Sequence, residues 1–203
     1  MAIEYEAKFL AVDESALQQK LNHAGAQELH SRFLLRRQTF DFPVQSSHKK
    51  WARVRDEGAQ VTMTIKHLRD ATSIDGMHEV ELVVHDFHTA CEFLASLGLT
   101  AASYQENYRQ AWRLGGAVIT LDTWPGIPPF VEIEGPSQEV VEDCIKALGF
   151  EVSQAYFGSI DGLYEQALGI APLVFNQIPR LTFENAPTVL ASFVEAGKGP
   201  FEL

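Results

Sequence analysis

The fold is decided near the start of the chain by the alternating stretch Ile3-Glu4-Tyr5-Glu6-Ala7-Lys8-Phe9. Successive side chains of a β-strand point to opposite faces, so this stretch places apolar residues on one face and charged residues on the other. A period of two predicts a strand. A strand of this kind belongs in a sheet whose two sides meet very different surroundings.

Further stretches with strand character follow along the chain. Together with residues 3–9 we predict strands over residues 33–42, 51–55, 61–66, 78–84, 104–114, 117–124 and 130–135. Short turns such as Asp56-Glu57-Gly58-Ala59 and Gly115-Gly116 join neighbouring strands, which favours antiparallel pairing.

Helical stretches are fewer, and most carry a capping residue and a terminal glycine. We predict them over about 13–25, 86–98, 137–149 and 159–168. Amphipathic helices can cover the apolar face of the sheet. The sequence therefore predicts an α+β fold: an eight-stranded antiparallel β-barrel, or tunnel, with a charged interior and helices packed outside.

Two regions are expected from the organisation of the chain. Residues 1–169 carry the predicted tunnel domain, and residues 170–203 form a C-terminal extension that packs on the barrel or on a partner. The chain has 203 residues, a net charge of -11 and only two cysteines, Cys91 and Cys144, which we expect to be buried thiols. The absence of a secretory signal and of a long apolar run favours a cytoplasmic protein that binds neither nucleic acid nor membrane.

The charged strand face recurs in pairs along the chain. The basic members are Arg53, Arg55, Lys66, Arg109 and Arg113, and the acidic members are Glu79, Glu81, Asp122, Glu132 and Glu134. A single pair of this kind usually lies on a solvated face, where it only aids solubility. Several pairs on separate strands, turned into a barrel, would be costly unless they were paired or bound a ligand.

The two kinds of charge suit two parts of one ligand. Arginine and lysine donate hydrogen bonds to phosphate oxygens, and arginine can bind two oxygens at once. Carboxylates two residues apart on a strand project side by side, which suits a hard cation such as Mg²⁺ or Mn²⁺. A complex of a metal ion with a polyphosphate needs both kinds of residue.

The charged motifs, taken in order, resemble those of the CYTH family, also called triphosphate tunnel metalloenzymes. The family includes class IV adenylate cyclases, thiamine triphosphatases and inorganic triphosphatases. The matching residues are Glu4, Glu6 and Lys8; Arg53 and Arg55; Thr64 and Lys66; Glu79 and Glu81; Arg109 and Trp112; Asp122; and Glu132, Ile133 and Glu134. Residues 158–164 look like the closing helix of the family, and the resemblance covers residues 1–169.

The resemblance implies a role for each group of residues. The phosphate clamp would consist of Lys8, Arg53, Arg55, Lys66 and Arg109, with Arg113 as a partial substitute for a lysine that relatives commonly carry just before the arginine of this strand. The ligands of Mg²⁺ or Mn²⁺ would be Glu4, Glu6, Glu132 and Glu134, with Glu79, Glu81 and Asp122 completing the acidic lining. Of these, Glu4, Glu6 and Glu134 are the expected catalytic residues.

The same resemblance implies a metal-dependent phosphohydrolase that acts on an inorganic, nucleotide or thiamine triphosphate. One alternative is an adenylate cyclase of the class IV type, which makes cyclic AMP and pyrophosphate from ATP. Another is a nucleotide- or polyphosphate-binding module without catalysis, which the missing lysine makes more credible. Relatives of this shape often pair, so a homodimer is possible by analogy.

Overall fold

The computed structural model describes residues 1–43 and 50–194, so residues 195–203 of the expected C-terminal extension lie outside it. The strands are β1 (Ala2–Phe9), β2 (Gln27–Asp41), β3 (Lys50–Asp56), β4 (Val61–Leu68), β5 (Met77–Val84), β6 (Thr100–Leu114), β7 (Ala117–Thr123), β8 (Phe130–Gly135) and β9 (Arg180–Leu181). The helices are α1 (Glu14–Ala24), α2 (Phe87–Ser96), α3 (Gln138–Ala147), α4 (Ile160–Leu168), α5 (Pro172–Phe175) and α6 (Ala186–Val194), with a 3-10 turn over Val152–Gln154.

The first eight strands form a closed antiparallel barrel, which confirms the predicted fold. Their order is β2-β3-β4-β5-β1-β8-β7-β6, and a long ladder between β2 and β6 closes the ring. The hairpin between β6 and β7 turns at Gly115 and Gly116, whose φ angles of 57° and 92° suit glycine.

Burial along the strands shows that the charged face points inward. In β4 the polar residues Thr62, Thr64 and Lys66 are buried, whereas the alternating apolar residues Val61 and Met63 are only half-buried. This is the reverse of an ordinary half-exposed strand, in which the apolar face is the buried one. The barrel therefore has a polar interior, and its hydrophobic core lies outside the ring of strands.

The long helices cover parts of this outer apolar surface. Val141 and Ile145 of α3 are fully buried, in the same hydrophobic cluster as Ile119 of β7 and Ile133 of β8. On another side, Ala90 and Leu94 of α2 pack in a cluster with Val54 of β3. The first three helices have side-chain N-caps, at Asp13, Asp86 and Ser137, and Asp13 accepts a hydrogen bond from the backbone N–H of Ala16 at 2.7 Å, whereas Ser159 makes no such bond at the start of α4.

The two strands that close the barrel are longer than predicted. β2 begins at Gln27 rather than at residue 33, and β6 begins at Thr100 rather than at residue 104. The added start of β2 pairs with the end of β6, with Gln27 opposite Arg113, and the added start of β6 pairs with the end of β2, with Thr100 opposite Asp41. The register shifts between Glu28 and Phe33 and again between Gln38 and Phe40. Because irregular pairing interrupts strict alternation, the period of two is lost there.

Residues 170–194, the described part of the chain beyond Gly169, pack against the barrel. Leu181 of β9 pairs in parallel with β6, and Phe175 of α5 stacks on Tyr164 with ring centroids 4.3 Å apart. Both side chains are buried in one cluster with Trp124 and Phe130. Within residues 1–43 and 50–194, no helix combines the length and the apolar character needed to cross a membrane.

We expect Ile145→Ala to lower the free energy of unfolding by about 2–5 kcal/mol, because it opens a cavity between α3 and the barrel. Leu97→Ala is the matched control, since Leu97 is 61% exposed and its truncation should change stability by less than about 0.5 kcal/mol. Urea unfolding curves measure both changes. Equal losses in the two variants would contradict the placement of the core outside the barrel.

Candidate active site

A cavity of about 430 Å³ runs inside the barrel and collects most of the predicted site residues. The predicted residues that line it are Glu4, Glu6, Lys8, Arg53, Arg55, Lys66, Glu79, Glu81, Arg109, Glu132 and Glu134. They come from β1, β3, β4, β5, β6 and β8, whose inward faces meet only because the sheet is closed.

An acidic wall forms where β1 lies beside β8. Glu6 is directly opposite Glu134, and Lys8 is directly opposite Glu132. The Lys8 ammonium donates a hydrogen bond to Glu6 Oε1 at 2.6 Å and lies 3.7 Å from Glu132 Oε1. One lysine therefore lies close to two carboxylates of the cavity, the buried Glu6 and the partly buried Glu132.

The carboxylates of this wall titrate far from one another. Burial, followed by repulsion from Glu132, raises the pKa of Glu6 to about 8 although Lys8 opposes the shift. Partial desolvation of the carboxyl, with repulsion from Glu4 and Glu132, raises the pKa of Glu134 to about 7, although the residue remains exposed to solvent. Burial would also raise the pKa of Glu132, but Lys8 and Arg109 hold it well below its ordinary value. Full ionisation of these carboxyls would give the wall more negative charge than its lysines neutralise, so Glu6 and Glu134 hold their protons to higher pH than ordinary carboxyls do.

A second lysine bridges β4 to the same wall. Lys66 Nζ donates to both oxygens of Glu4, at 2.6 and 2.9 Å, and lies 3.2 Å from Glu79 Oε2. Lys66 and Glu4 are both buried. The Lys66 ammonium therefore lies between a carboxylate of β1 and a carboxylate of β5.

A basic wall faces the cavity from β2 and β3. Arg53 donates to Thr64 Oγ1 at 3.3 Å and lies 3.7 Å from Glu81, and Arg55 is held by Glu57 through its Nε at 2.6 Å. Burial, with repulsion from Arg55, lowers the pKa of Arg53 to about 10. Both guanidiniums line the cavity.

Arg109 of β6 is fixed by a fully buried carboxylate. Its Nε and one terminal nitrogen donate to Asp122 at 2.9 and 2.7 Å, and the same nitrogen lies 3.2 Å from Glu132. Asp122 is 0% exposed and also accepts a hydrogen bond from Thr120. Asp122 therefore supports Arg109 from behind and does not line the open cavity.

Arg113 is not brought to the cavity. It lies near the end of β6, opposite Gln27 and Val118, and its side chain is exposed. The alternation places it on the same face as Arg109, but four residues along a strand displace it by about 13 Å. The predicted substitution of Arg113 for a missing lysine therefore has no support in the geometry.

Other residues of the cavity escaped the sequence analysis. Arg37 of β2 lines the basic wall beside Gln105 of β6, and Trp124 and Asp161 line other parts of the cavity. Arg37 belongs to no paired motif within its own strand, so only the register between strands reveals its place. Asp161 comes from α4, beyond the strands in which the charged motifs were sought.

The acidic wall suits a hard divalent cation only together with a ligand. Within the described part of the chain, no three carboxylate, histidine or cysteine side chains are placed to hold a metal ion on their own. Mg²⁺ is commonly held by one or two carboxylates, with phosphate and water oxygens filling its other positions. Glu6 and Glu134 lie opposite each other and both line the cavity, so they can supply the one or two carboxylates that such an ion requires.

The family model for the CYTH domain matches residues 2–153, so the chain belongs to the CYTH domain family. This confirms the resemblance seen in the sequence. No curated protein matches the chain.

Solved structures share the fold at low sequence identity. The PH1012 protein of Pyrococcus horikoshii OT3 is 21% identical with a TM-score of 0.65, covering 77% of this chain and 96% of its own. A Vibrio parahaemolyticus protein, described as an adenylate cyclase candidate, is 14% identical with a TM-score of 0.67 and covers 80% and 98%. HpAC1 of Hippeastrum, an adenylyl cyclase candidate with a dominant triphosphatase activity, is 17% identical with a TM-score of 0.55 and covers 81% and 96%.

We expect Asp122→Asn to destabilise the protein by about 3–5 kcal/mol, because it leaves the Arg109 guanidinium without its buried partner. Asp143→Asn is the matched control: it breaks the exposed pair of Asp143 and Lys146, and should change stability by at most about 0.5 kcal/mol. Chemical denaturation monitored by circular dichroism compares the two. A small effect of Asp122→Asn would show that Arg109 does not depend on Asp122.

Proposed function

We propose that the protein is a metal-dependent phosphohydrolase that acts on a triphosphate bound inside the barrel. The observation that carries this proposal is the division of one cavity into an acidic wall and a basic wall. A metal–triphosphate complex presents a cation on one side and phosphate oxygens on the other, so it matches both walls at once.

On this proposal the basic residues hold the phosphate chain. Arg53, Arg55 and Arg109 would bind phosphate oxygens from one side, with Lys8 and Lys66 contributing from the opposite side. Each of these side chains already lines the cavity and is held by a neighbouring carboxylate or hydroxyl group. Side chains fixed in this way lose little freedom when a ligand binds, which favours affinity and correct orientation.

The acidic residues would hold Mg²⁺ or Mn²⁺, with Glu6 and Glu134 as the main ligands and Glu4 and Glu132 nearby. When bound, the ion would supply charge stabilisation at the phosphate oxygens and a more acidic bound water. The remaining carboxylates of the lining, Glu79 and Glu81, extend the acidic surface along β5.

We propose hydrolysis rather than cyclisation because of what is described for one structural relative. HpAC1 of Hippeastrum is described as an adenylyl cyclase candidate whose dominant activity is that of a triphosphatase. The clamp described above would serve either reaction, since both require the phosphate chain to be held and its charge to be neutralised.

A substrate assay separates the candidate functions. The purified protein is incubated with tripolyphosphate, ATP or thiamine triphosphate, in Mg²⁺ and separately in Mn²⁺. Release of orthophosphate supports the proposed hydrolase, and the preferred substrate identifies the group attached to the phosphates. Formation of cyclic AMP and pyrophosphate from ATP would instead indicate a class IV adenylate cyclase, and tight binding without turnover would indicate a binding module.

We expect Glu134→Gln to lower metal-dependent turnover by at least about 10- to 100-fold, the range found when even the supporting groups of metal ligands are removed. Glu139→Gln on the exposed face of α3 makes the same chemical change outside the cavity and should retain wild-type turnover. Orthophosphate release as a function of Mg²⁺ concentration measures both variants. Wild-type activity in Glu134→Gln would remove this residue from the metal site.

A further inference from the structure

Arg37 is a buried guanidinium on the wall of the cavity. Arg37 is 7% exposed and lines the cavity from β2. One terminal nitrogen donates to Asn107 Oδ1, but the buried Nε has no hydrogen-bond partner. Among residues 1–43 and 50–194, no carboxylate oxygen lies within 4.0 Å of this guanidinium.

The charges nearest to Arg37 are mostly of its own sign. Arg55 lies directly opposite on β3, and Arg53 and Arg109 also repel it. Burial and these three cations lower the pKa of Arg37 well below its ordinary value, and Asp122 acts in the opposite direction. A buried charge without a counterion destabilises a fold, so its retention at a cavity wall indicates an anionic ligand.

Two neighbours fix the orientation of this guanidinium. Asn107 accepts from Arg37 through Oδ1 and donates through Nδ2 to Asp122 Oδ1 at 2.7 Å, so both ends of its amide are used. The guanidinium carbon lies 4.5 Å from the ring centroid of Trp124. A network therefore connects Arg37 to Arg109 through Asn107 and Asp122, and holds the two cations in a fixed relation.

We propose that Arg37 binds a phosphate group of the substrate directly, and that Asn107 is the residue that positions it. This proposal rests on the proposed function and adds to it a phosphate-binding residue that lies outside the charged motifs of the sequence. A guanidinium that lines the cavity and makes only one hydrogen bond to the described part of the chain can donate to phosphate oxygens in a fixed planar geometry, which a lysine ammonium lacks.

A structural role and a ligand-binding role for Arg37 predict different effects of its removal on thermal stability. If Arg37 served only to hold β2 against β6, its removal would lower the melting temperature. If it is a strained ligand-binding residue, Arg37→Gln removes an uncompensated buried charge, and the melting temperature of the protein alone should rise or stay unchanged.

The test measures the binding of inorganic tripolyphosphate to the full-length protein by titration calorimetry in EDTA, so that turnover does not interfere. We expect Arg37→Gln to weaken binding by about 10- to 100-fold, the loss expected for a hydrogen bond to a charged group. Arg37→Lys should recover part of the affinity. Arg36→Gln removes the same charge from the neighbouring, exposed position of β2 and should bind like the wild type.

The outcomes distinguish this inference from the proposed function. Wild-type affinity in Arg37→Gln would overturn the role of Arg37 and leave the phosphohydrolase intact. Weaker binding accompanied by a lower melting temperature would also overturn it, since the loss would then be structural. Failure of the wild-type protein to bind tripolyphosphate, with EDTA or with Mg²⁺, would remove both proposals together.

Discussion

The pairing of β2 with β6 is the interaction on which the rest of the structure depends. It joins the two ends of the strand order and turns an open sheet into a ring. In an open sheet the charged faces of β1, β4 and β8 would lie in water, where such residues contribute solubility and little else. Closure makes these side chains face one another around a common cavity and buries several of them, such as Glu6, Lys8 and Lys66, which then carry a desolvation penalty.

The barrel tolerates this interior because opposite charges are placed within reach of each other. Three contacts carry most of the compensation: Lys66 with Glu4, Lys8 with Glu6, and Arg109 with Asp122. Two of these pairs join different strands, and the pair of Lys8 with Glu6 joins residues two apart on the same face of β1. The ion pairs therefore also fix the orientation of the side chains. The hydrophobic stabilisation comes from elsewhere, from the outer face covered by α2 and α3 and from the cluster around Tyr164.

Much of this arrangement could be predicted from sequence because a strand's period of two is a local property. Glu4, Glu6 and Lys8 had to share a face once the stretch was recognised as a strand, and the same holds for Arg53 with Arg55. Position along the barrel axis is not local, and for that reason Arg113 was expected in the cavity but lies beyond it. Arg37 was missed for the converse reason, since its neighbours Arg55 and Gln105 are fixed only by the register of three strands.

The ion pairs of the cavity also suggest how ligand binding could proceed without exposing bare charge. On the proposed function, a metal ion approaches carboxylates such as Glu4 and Glu6, while phosphate oxygens approach their partners Lys66 and Lys8. Each side chain then exchanges a partner for another of the same sign, so the number of paired charges in the low-dielectric interior stays the same. Arg37 differs, because no carboxylate partner has to be displaced from it. On the proposed function, the energy gained by pairing its charge with a phosphate would therefore not be offset by a lost ion pair, which would favour the basic wall as the side that holds the phosphate chain.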